Sequence, residues 1–306
     1  MGTSYSIKLA DPKESIQLAV IREKITARLE DLDSQLSTYR PTSEISRFNA
    51  QPGTDWFSIS ADSLNILLQG LKISELSGGA FDMTVGPLVA LWGFGVEGGS
   101  QAVPEQRDID ALLAATGYDF LQIRESPPAI RRTRLGIRLD LSAIAKGYAV
   151  DELAAILDEA GVSDYLVEIG GEIRARGGRA DATDWRIAVE SPVAGTRSVQ
   201  RVIRLRDQAV ATSGDYRNFF EYQGRRYSHT IDPRTGWPIS EELGAVSVIS
   251  ETAMEADAWA TALLVLGPEQ GFELAKREGI AASLIVRTDD GMQELNTSEF
   301  EVHLDR

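Results

Sequence analysis

One short stretch of the chain, residues 228–238, combines ionisable side chains with the residues of a tight turn. It reads SHTIDPRTGWP and contains His229, one of only two histidines among 306 residues. An Asp-Pro pair followed by Thr-Gly is typical of a tight turn, because proline presets one backbone angle and glycine accepts a left-handed one. We therefore expect His229 at the end of a strand, aimed by a rigid turn. An ordinary hairpin with a surface histidine fits these residues equally well.

A second stretch, residues 140–151, predicts a strand that leads directly into a helix. It reads DLSAIAKGYAVD, and we expect Ser142 to cap the helix. Such a junction aims several unpaired backbone N–H groups at one point, which favours binding of an anion. Lys146 lies in the first turn, where the helix dipole disfavours a cation unless an anion such as phosphate binds there. A solvated lysine is the alternative interpretation.

Asp257 and Thr261 form a third candidate site. They are four residues apart in a predicted helix of mainly Ala, Leu, Val and Trp, so both point the same way from a buried element. Buried carboxylates are rare unless paired or bound to metal, and a carboxylate with a hydroxyl suits magnesium whose shell phosphate oxygens complete. Equally, Thr261 could bond back to the carbonyl of residue 257 while Asp257 caps a helix or pairs with an arginine.

Two isolated side chains also stand out from their neighbours. Asp82 lies in the apolar, turn-rich segment 80–87, AFDMTVGP, and needs partners if it is buried. Tyr39 stands among polar residues, so its ring is either incidental surface or a platform for stacking. The sequence pattern favours the incidental surface ring.

Composition excludes several classes of protein. The formal charge of −15, without a concentrated basic patch, argues against a nucleic-acid partner. The absence of cysteine excludes disulfides, thiolate metal sites and a cysteine nucleophile. Walker A, Gly-x-Gly-x-x-Gly and Gly-x-Ser-x-Gly patterns are also missing. An oxygen-only metal site, a phosphate-facing helix start and a positioned histidine remain, and these suit chemistry on a phosphoanhydride.

The helices and strands that position these residues indicate an α+β fold, because long helices are mixed with strands of antiparallel character. We find no linker, and we expect residues 1–306 to form a single unit with no independent second domain. Gly170-Gly171, which we expect within a strand, indicates a bulge or a close backbone approach to another group. Predicted helices cover 11–36, 43–49, 60–77, 104–117, 142–161, 252–266 and 268–278. Predicted strands cover 4–9, 120–124, 130–141, 165–169, 172–176, 185–190, 199–205, 209–212, 217–222, 225–231, 245–250, 281–286 and 292–302.

Taken together, these motifs resemble the ApbE family, the bacterial FAD:protein FMN transferases. The resemblance extends over nearly the whole chain. Its matching segments, in order, are Met1–Thr3, Tyr39 with residues 43–49, residues 80–82, 140–147, 170–172, 228–233 and 257–261. The resemblance implies two closely joined lobes of mainly antiparallel sheet flanked by helices, with an FAD cleft between them.

The resemblance also implies a reaction and a set of site residues. FMN would pass from FAD to a Thr or Ser hydroxyl of an acceptor protein through a phosphoester, with release of AMP and a requirement for Mg²⁺. His229 matches the proposed general base. The positions matching FAD contacts are Met1, Tyr39, Ala80, Phe81, Asp82, Asp140, Lys146 and Ile231. The positions matching the magnesium site are Ala143, through a backbone oxygen, and Asp257, Ala260 and Thr261.

The same resemblance implies the partners and the location. The acceptor would be a respiratory or electron-transfer flavoprotein, and contact with a membrane would be only through a lipid anchor absent from this chain. We expect a periplasmic or other extracytoplasmic location with the leader not present here, and a cytoplasmic location stays open. Two other functions fit the same residues: an FAD pyrophosphatase that yields FMN and AMP, and a non-catalytic FAD-binding protein.

Overall fold

The computed structural model describes residues 2–14, 16–95, 98, 102–192, 198–216 and 218–305. Met1, one of the expected FAD contacts, lies outside these residues. Helices and strands alternate irregularly along the chain. In order they are β1 (Tyr5–Leu9), α1 (Leu18–Leu36), α2 (Glu44–Ala50), β2 (Phe57–Ser58), α3 (Ala61–Leu76), α4 (Gly86–Leu91), α5 (Gln106–Leu113), β3 (Leu121–Glu125), β4 (Pro128–Arg132), α6 (Ala145–Glu159), β5 (Tyr165–Ile169), β6 (Glu172–Arg176), β7 (Trp185–Glu190), β8 (Val199–Leu205), β9 (Ala209–Gly214), β10 (Phe219–Tyr222), β11 (Arg225–Ser228), β12 (Leu243–Ser250), α7 (Ala253–Glu278), β13 (Ala281–Thr288), β14 (Gly291–Asn296) and α8 (Ser298–Glu301).

The centre of the fold is a seven-stranded antiparallel sheet with the strand order β1-β5-β6-β9-β12-β13-β14. Alternate residues of a strand point to opposite faces, and here both faces are buried. Ala209 and Ala211 join the core formed with α1, α3, α6 and α7, whereas Val210 packs with β7, β8 and Phe300. The predicted α+β class is therefore confirmed.

Helices α6 and α7 hold each other through a reciprocal pair of carboxylates. Asp151 of α6 accepts hydrogen bonds from the N–H groups of Ala253 (3.0 Å) and Met254 (2.9 Å), which open α7. Asp257 of α7 accepts one from the N–H of Gly147 (3.1 Å), in the first turn of α6. Each acid satisfies donors that a helix start leaves unpaired, and its negative charge favours the positive end of that helix. The two helix starts are therefore fixed relative to each other.

Glycine is required where these helices touch. A Cβ on Gly147 would lie 2.2 Å from the carbonyl oxygen of Ala253. Any side chain at position 147 would force the two backbones apart.

Strands β10 and β11 form a small hairpin that is separate from the main sheet. The predicted turn in residues 228–238 follows the second strand of this hairpin. Its inward rings Phe220 and Tyr227 stack at 5.2 Å, and Tyr227 stacks on Trp92 at 5.5 Å. The indole N–H of Trp92 donates to the carbonyl of Gly236 at 2.8 Å. This aromatic cluster ties hairpin and turn to the segment that follows α4.

Two predicted boundaries were wrong near the N-terminal half. Helix α1 begins at Leu18, not at Asp11-Pro12, because Asp11 takes a left-handed conformation with φ of 49°. Strand β4 ends at Arg132 instead of reaching residue 141. The chain folds back there, because the buried Arg132 guanidinium donates to the carbonyls of Ile137 (2.6 Å) and Phe48.

Three further predictions were corrected by local hydrogen bonding. Ser142 does not cap α6, because the helix begins only at Ala145. The N–H of Ser142 instead donates to the Asp140 side chain at 2.9 Å in a tight turn. Gly170-Gly171 is the two-residue turn between β5 and β6, with φ of 67° and 112°, and lies within neither strand. The last strand ends at Asn296, and residues 298–301 are helical.

The break between two predicted helices at Gly267-Pro268 is confirmed as a kink inside α7, where Gly267 has φ of 81°. Within the described residues, no helix combines the length and apolar character needed to cross a bilayer.

Substitution of Gly147 by alanine tests the close crossing of α6 and α7. We expect Gly147→Ala to lower the free energy of unfolding by roughly 3 kcal/mol, because the new methyl group meets backbone that cannot rotate away. Urea unfolding followed by circular dichroism measures the change.

The matched control is Gly53→Ala, whose methyl group would come no closer than 3.7 Å to any neighbour. We expect this variant to stay within about 0.5 kcal/mol of the wild type. Equal stability of the two variants would contradict the close crossing.

Candidate active site

A cluster of three charged side chains lies where α6, β6 and α7 meet. The Lys146 ammonium is 3.0 Å from Oε1 of Glu172 and 3.3 Å from Oδ1 of Asp257. The two carboxylates are almost fully buried, with side-chain exposures of 5% and 4%, and the lysine is partly buried. One positive and two negative groups leave an excess of negative charge that only a further cation or proton can balance.

The pKa values of the cluster reflect this excess. Burial, together with the nearby Asp257 carboxylate, raises the pKa of Glu172 to about 7, although Lys146 opposes the shift. Burial alone would lower the pKa of Lys146, but the fields of Asp257 and Glu172 outweigh it and raise that pKa. The lysine therefore stays charged throughout the neutral range.

These contacts change the interpretation of the α6 start. Lys146 is neither solvated nor alone, since two carboxylates hold it. The anion at the helix start is the Asp257 carboxylate on the Gly147 N–H, and the N–H groups of Ala145 and Tyr148 donate to backbone carbonyls. Few donors of this helix start are left for a phosphate.

Thr261 faces the same region from the next turn of α7. Its hydroxyl lies 3.1 Å from that of Ser213 on β9, so the predicted alternative of a bond back to its own helix is not observed. Asp257 does cap a helix, as the alternative interpretation expected, because it accepts from the Gly147 N–H, but its ion-pair partner is a lysine and not an arginine. Ala260, on α7, is buried, and Ala143 lies in the turn before α6.

The residues present fit a small divalent cation. A buried carboxylate and a hydroxyl are hard oxygen donors, the cluster carries excess negative charge, and Oε2 of Glu172 is buried without a hydrogen-bond partner. Among the residues that the structure describes, no group of three or more His, Cys, Asp or Glu could hold a metal ion. A cation bound to Asp257 would therefore also need other oxygen donors, such as the Thr261 hydroxyl or backbone carbonyls.

His229 directly follows strand β11, as the sequence predicted. Its backbone N–H and its ring Nδ1 both lie against one carbonyl, that of Asn218, at 3.1 Å and 2.9 Å. A carbonyl can only accept, so Nδ1 carries the proton and Nε2 keeps its lone pair. The arrangement presents Nε2 as a base.

Several groups set the protonation of His229. Burial lowers its pKa, and Lys146 lowers it further, while the Asn218 carbonyl and Asp215 oppose the shift. The imidazole is therefore neutral, and able to accept a proton, at neutral pH. The ring of Phe94 meets the imidazole edge-on at 6.2 Å and limits its rotation.

The predicted tight turn after His229 is confirmed. The N–H of Asp232 donates to the carbonyl of Trp237 at 2.8 Å, and the Asp232 carboxylate binds Arg234 within the turn. Ile231 is buried and forms an isolated bridge with Pro238. Backbone pairing thus joins the two ends of the turn.

The segment 80–86 runs beside residues 138–140. The Asp140 N–H donates to the carbonyl of Met83 at 2.7 Å, which joins two segments that the sequence analysis had linked only by resemblance. Asp82 is buried, and its carboxylate accepts from Thr84 and from the N–H of Tyr118. Burial raises its pKa, and these donors oppose the shift. Ala80 and Phe81 are buried, whereas the Tyr39 side chain is 69% exposed.

Comparison with known proteins identifies the family. The ApbE family model matches residues 1–284. The chain belongs to the ApbE family. The chain is 42% identical over 306 residues to the FAD:protein FMN transferase of Vibrio cholerae, covering 100% of this chain and 91% of that protein. It is 39% identical over 308 residues to the Escherichia coli K12 protein of the same name, covering 99% and 87%.

Solved structures of ApbE proteins share the fold. The flavin transferase ApbE from Vibrio cholerae superimposes with a TM-score of 0.92 at 41% identity, covering 99% of this chain and 96% of that one. The apo form of the Pseudomonas stutzeri flavinyl transferase ApbE gives 0.91 at 41% identity, covering 100% and 95%. The predicted family, its α+β fold and the predicted transferase class are confirmed.

Four residues of this ApbE site were missed or given no role by sequence reasoning. Glu172 was noted only within a matching segment, and the signal available was a carboxylate directly after Gly-Gly. Ser213 and Asn218 act through a hydroxyl and a backbone carbonyl, which leave no mark in a sequence. Asp215, also unnoticed, is buried and binds the Arg287 guanidinium at 2.7 and 2.8 Å, which ties the end of β9 to β13.

The tautomer and pKa of His229 can be tested by NMR. We expect a pKa below the ordinary value of about 6.5, and an Nδ1-protonated ring above it, because burial and the Asn218 carbonyl favour that neutral form. Two-bond ¹H–¹⁵N spectra over a pH series report both. The His303→Gln variant leaves a single histidine and assigns the signals. An Nε2-protonated ring would contradict the geometry.

Proposed function

We propose that this protein transfers FMN from FAD to a Thr or Ser hydroxyl of an acceptor protein, with release of AMP. The observation that carries the proposal is a neutral histidine with a free Nε2, close enough to the Lys146 cluster for that lysine to lower its pKa. Similarity over 99–100% of this chain to proteins named FAD:protein FMN transferase supports the substrates.

The proposed reaction is a substitution at phosphorus. The acceptor hydroxyl oxygen forms a bond to the phosphorus of the FMN half of FAD, and the bond from that phosphorus to the bridging oxygen breaks. AMP leaves with the electron pair. Nε2 of His229 takes the proton of the hydroxyl as the oxygen attacks, and Nδ1–H stays on the Asn218 carbonyl, which stabilises the imidazolium that forms.

Mg²⁺ is the second part of the proposal. Asp257, Ala260 and Thr261 occupy positions i, i+3 and i+4 of α7, so they share one face of the helix. Asp257 and Thr261, with backbone oxygens such as that of Ala143, would hold the ion. When bound, the ion would neutralise charge on the pyrophosphate and so favour departure of AMP.

The remaining site residues are proposed to bind FAD. The ring of Tyr39 is exposed, so we propose that it is a platform for stacking and not incidental surface. Lys146 adds a fixed positive charge near His229. Ala80, Phe81, Asp82, Asp140 and Ile231 complete the proposed FAD contacts. On resemblance alone, we propose that the acceptor is a respiratory or electron-transfer flavoprotein outside the cytoplasm.

Substitution of His229 tests its role as the base. We expect His229→Ala to bind FAD normally but to transfer FMN at a rate lower by about 10²–10⁴, because only the proton acceptor is removed. Intact mass of an acceptor domain after incubation with FAD and Mg²⁺ measures transfer, and flavin fluorescence measures binding. His303→Ala, which removes the other histidine, should transfer at the wild-type rate.

Three outcomes would count against the proposal. Unchanged transfer by His229→Ala would remove the histidine from the mechanism. Free FMN and AMP with an unmodified acceptor would indicate an FAD pyrophosphatase. FAD that survives intact with Mg²⁺ and acceptor would indicate a flavin-binding protein.

The Asp257→Asn variant tests the cation site. We expect it to need at least about tenfold more Mg²⁺ for the same transfer rate, because the amide keeps an acceptor for the Gly147 N–H but loses the charge. Titration of the transfer rate with Mg²⁺ measures the shift. Asp151→Asn, which changes the reciprocal cap, should lose stability without altering the Mg²⁺ requirement; an equal shift in both variants would point to a general structural effect.

A further inference from the structure

Glu172 is buried in the site, yet the proposed reaction gives it no task. It is the first residue of β6, directly after the Gly170-Gly171 turn. Oε1 accepts a hydrogen bond from the Lys146 ammonium at 3.0 Å, and Oε2 is buried without a partner. Burial of a carboxylate with one oxygen unpaired is costly, so the position of this residue calls for an explanation.

The Lys146 ammonium is shared unequally between two carboxylates. It is closer to Glu172, at 3.0 Å, than to either oxygen of Asp257, at 3.3 and 3.4 Å. Asp257 also keeps its hydrogen bond to the Gly147 N–H, so the lysine is not its sole partner. Glu172 is therefore the nearer of the two carboxylates that fix the ammonium.

This arrangement creates a competition for Asp257. A divalent cation and the Lys146 ammonium both need the same carboxylate, and the lysine is already against it. If Asp257 were the only counter-ion of Lys146, binding of the cation to Asp257 would leave the ammonium unpaired, which is strongly unfavourable. A second carboxylate that accepts a hydrogen bond from the ammonium removes that obstacle.

We infer that Glu172 is a positioning residue that keeps Lys146 paired when Asp257 binds a divalent cation, an inference that rests on the proposed function of this site. Glu172 acts through the lysine and needs no contact with FAD or with the acceptor. It makes the cation site usable, and it holds the lysine's charge beside the cation.

A simpler role must be separated from this one. Any carboxylate near a cation strengthens its binding by adding negative charge, whether or not a lysine is present. If Glu172 acts through Lys146, its effect on cation affinity must depend on the lysine. A double-mutant cycle measures that dependence directly.

The experiment uses Mn²⁺ as the probe, without FAD or acceptor. Electron paramagnetic resonance titrations at about pH 8, where carboxylates are ionised, give the Mn²⁺ affinity of the full chain. The variants are Glu172→Gln, Lys146→Met and the double variant. We expect Glu172→Gln alone to weaken binding about tenfold, and the same change in the Lys146→Met background to alter it less than about threefold. Lys146→Met alone should bind at least as tightly as the wild type.

A conservative variant guards against a purely structural effect. Glu172→Asp keeps the carboxylate with a shorter side chain, so we expect it to recover most of the affinity that Glu172→Gln loses. Thermal unfolding verifies that each variant is folded. If Glu172→Gln does not fold, Glu172→Ala, which also removes the carboxylate, completes the cycle in the two lysine backgrounds.

The outcomes separate this inference from the proposed function. Equal weakening in both lysine backgrounds, unchanged affinity of Glu172→Gln, or no Mn²⁺ binding by the wild type would each overturn the role of Glu172. If the cycle shows the expected coupling but the wild-type protein never modifies an acceptor, flavin transfer is overturned and the role of Glu172 remains.

Discussion

The site depends on the contact between α6 and α7, where each helix supplies the carboxylate that satisfies the other's first turn. Asp151 holds the start of α7, and Asp257 holds the start of α6. A helix start is an electropositive group of unpaired donors, so this exchange stabilises both helices while fixing their distance. Gly147 permits the approach because a larger residue would meet the Ala253 carbonyl. The same carboxylate that closes the contact is the proposed cation ligand, so architecture and chemistry share one residue.

Burial governs the protonation of the ionisable side chains in this region. Two buried carboxylates share one ammonium, and burial together with the neighbouring Asp257 charge raises the pKa of Glu172 to about 7. A site in this state gains from binding a cation, because the cation relieves a repulsion that the fold has already imposed. His229 lies in a different environment. Burial lowers its pKa, so it stays neutral where the carboxylates are ionised.

The histidine is positioned by a separate device. The hairpin that carries it is fastened by stacked rings, Phe220 on Tyr227 and Tyr227 on Trp92, and the indole then bonds to the turn at Gly236. Aromatic stacking gives a short two-stranded hairpin a stability that it lacks alone. The Asn218 carbonyl then selects the tautomer of the His229 ring. Ordinary packing thus orients the proposed base without any substrate.

The sequence by itself determined the α+β class, the end-of-strand position of His229, its tight turn and the helical pairing of Asp257 with Thr261, because these follow from local periodicity and turn chemistry. It misjudged the start of α1, where Asp11 takes a left-handed conformation. It also misjudged the end of β4 and the cap of α6, where contacts from Arg132 and Asp140 override local preference. Only the tertiary structure decided that Lys146 pairs with Glu172 and Asp257 and that Asn218 sets the tautomer of His229. Those partners come from distant parts of the chain, and a backbone carbonyl or a buried ion pair leaves no periodic trace in the sequence.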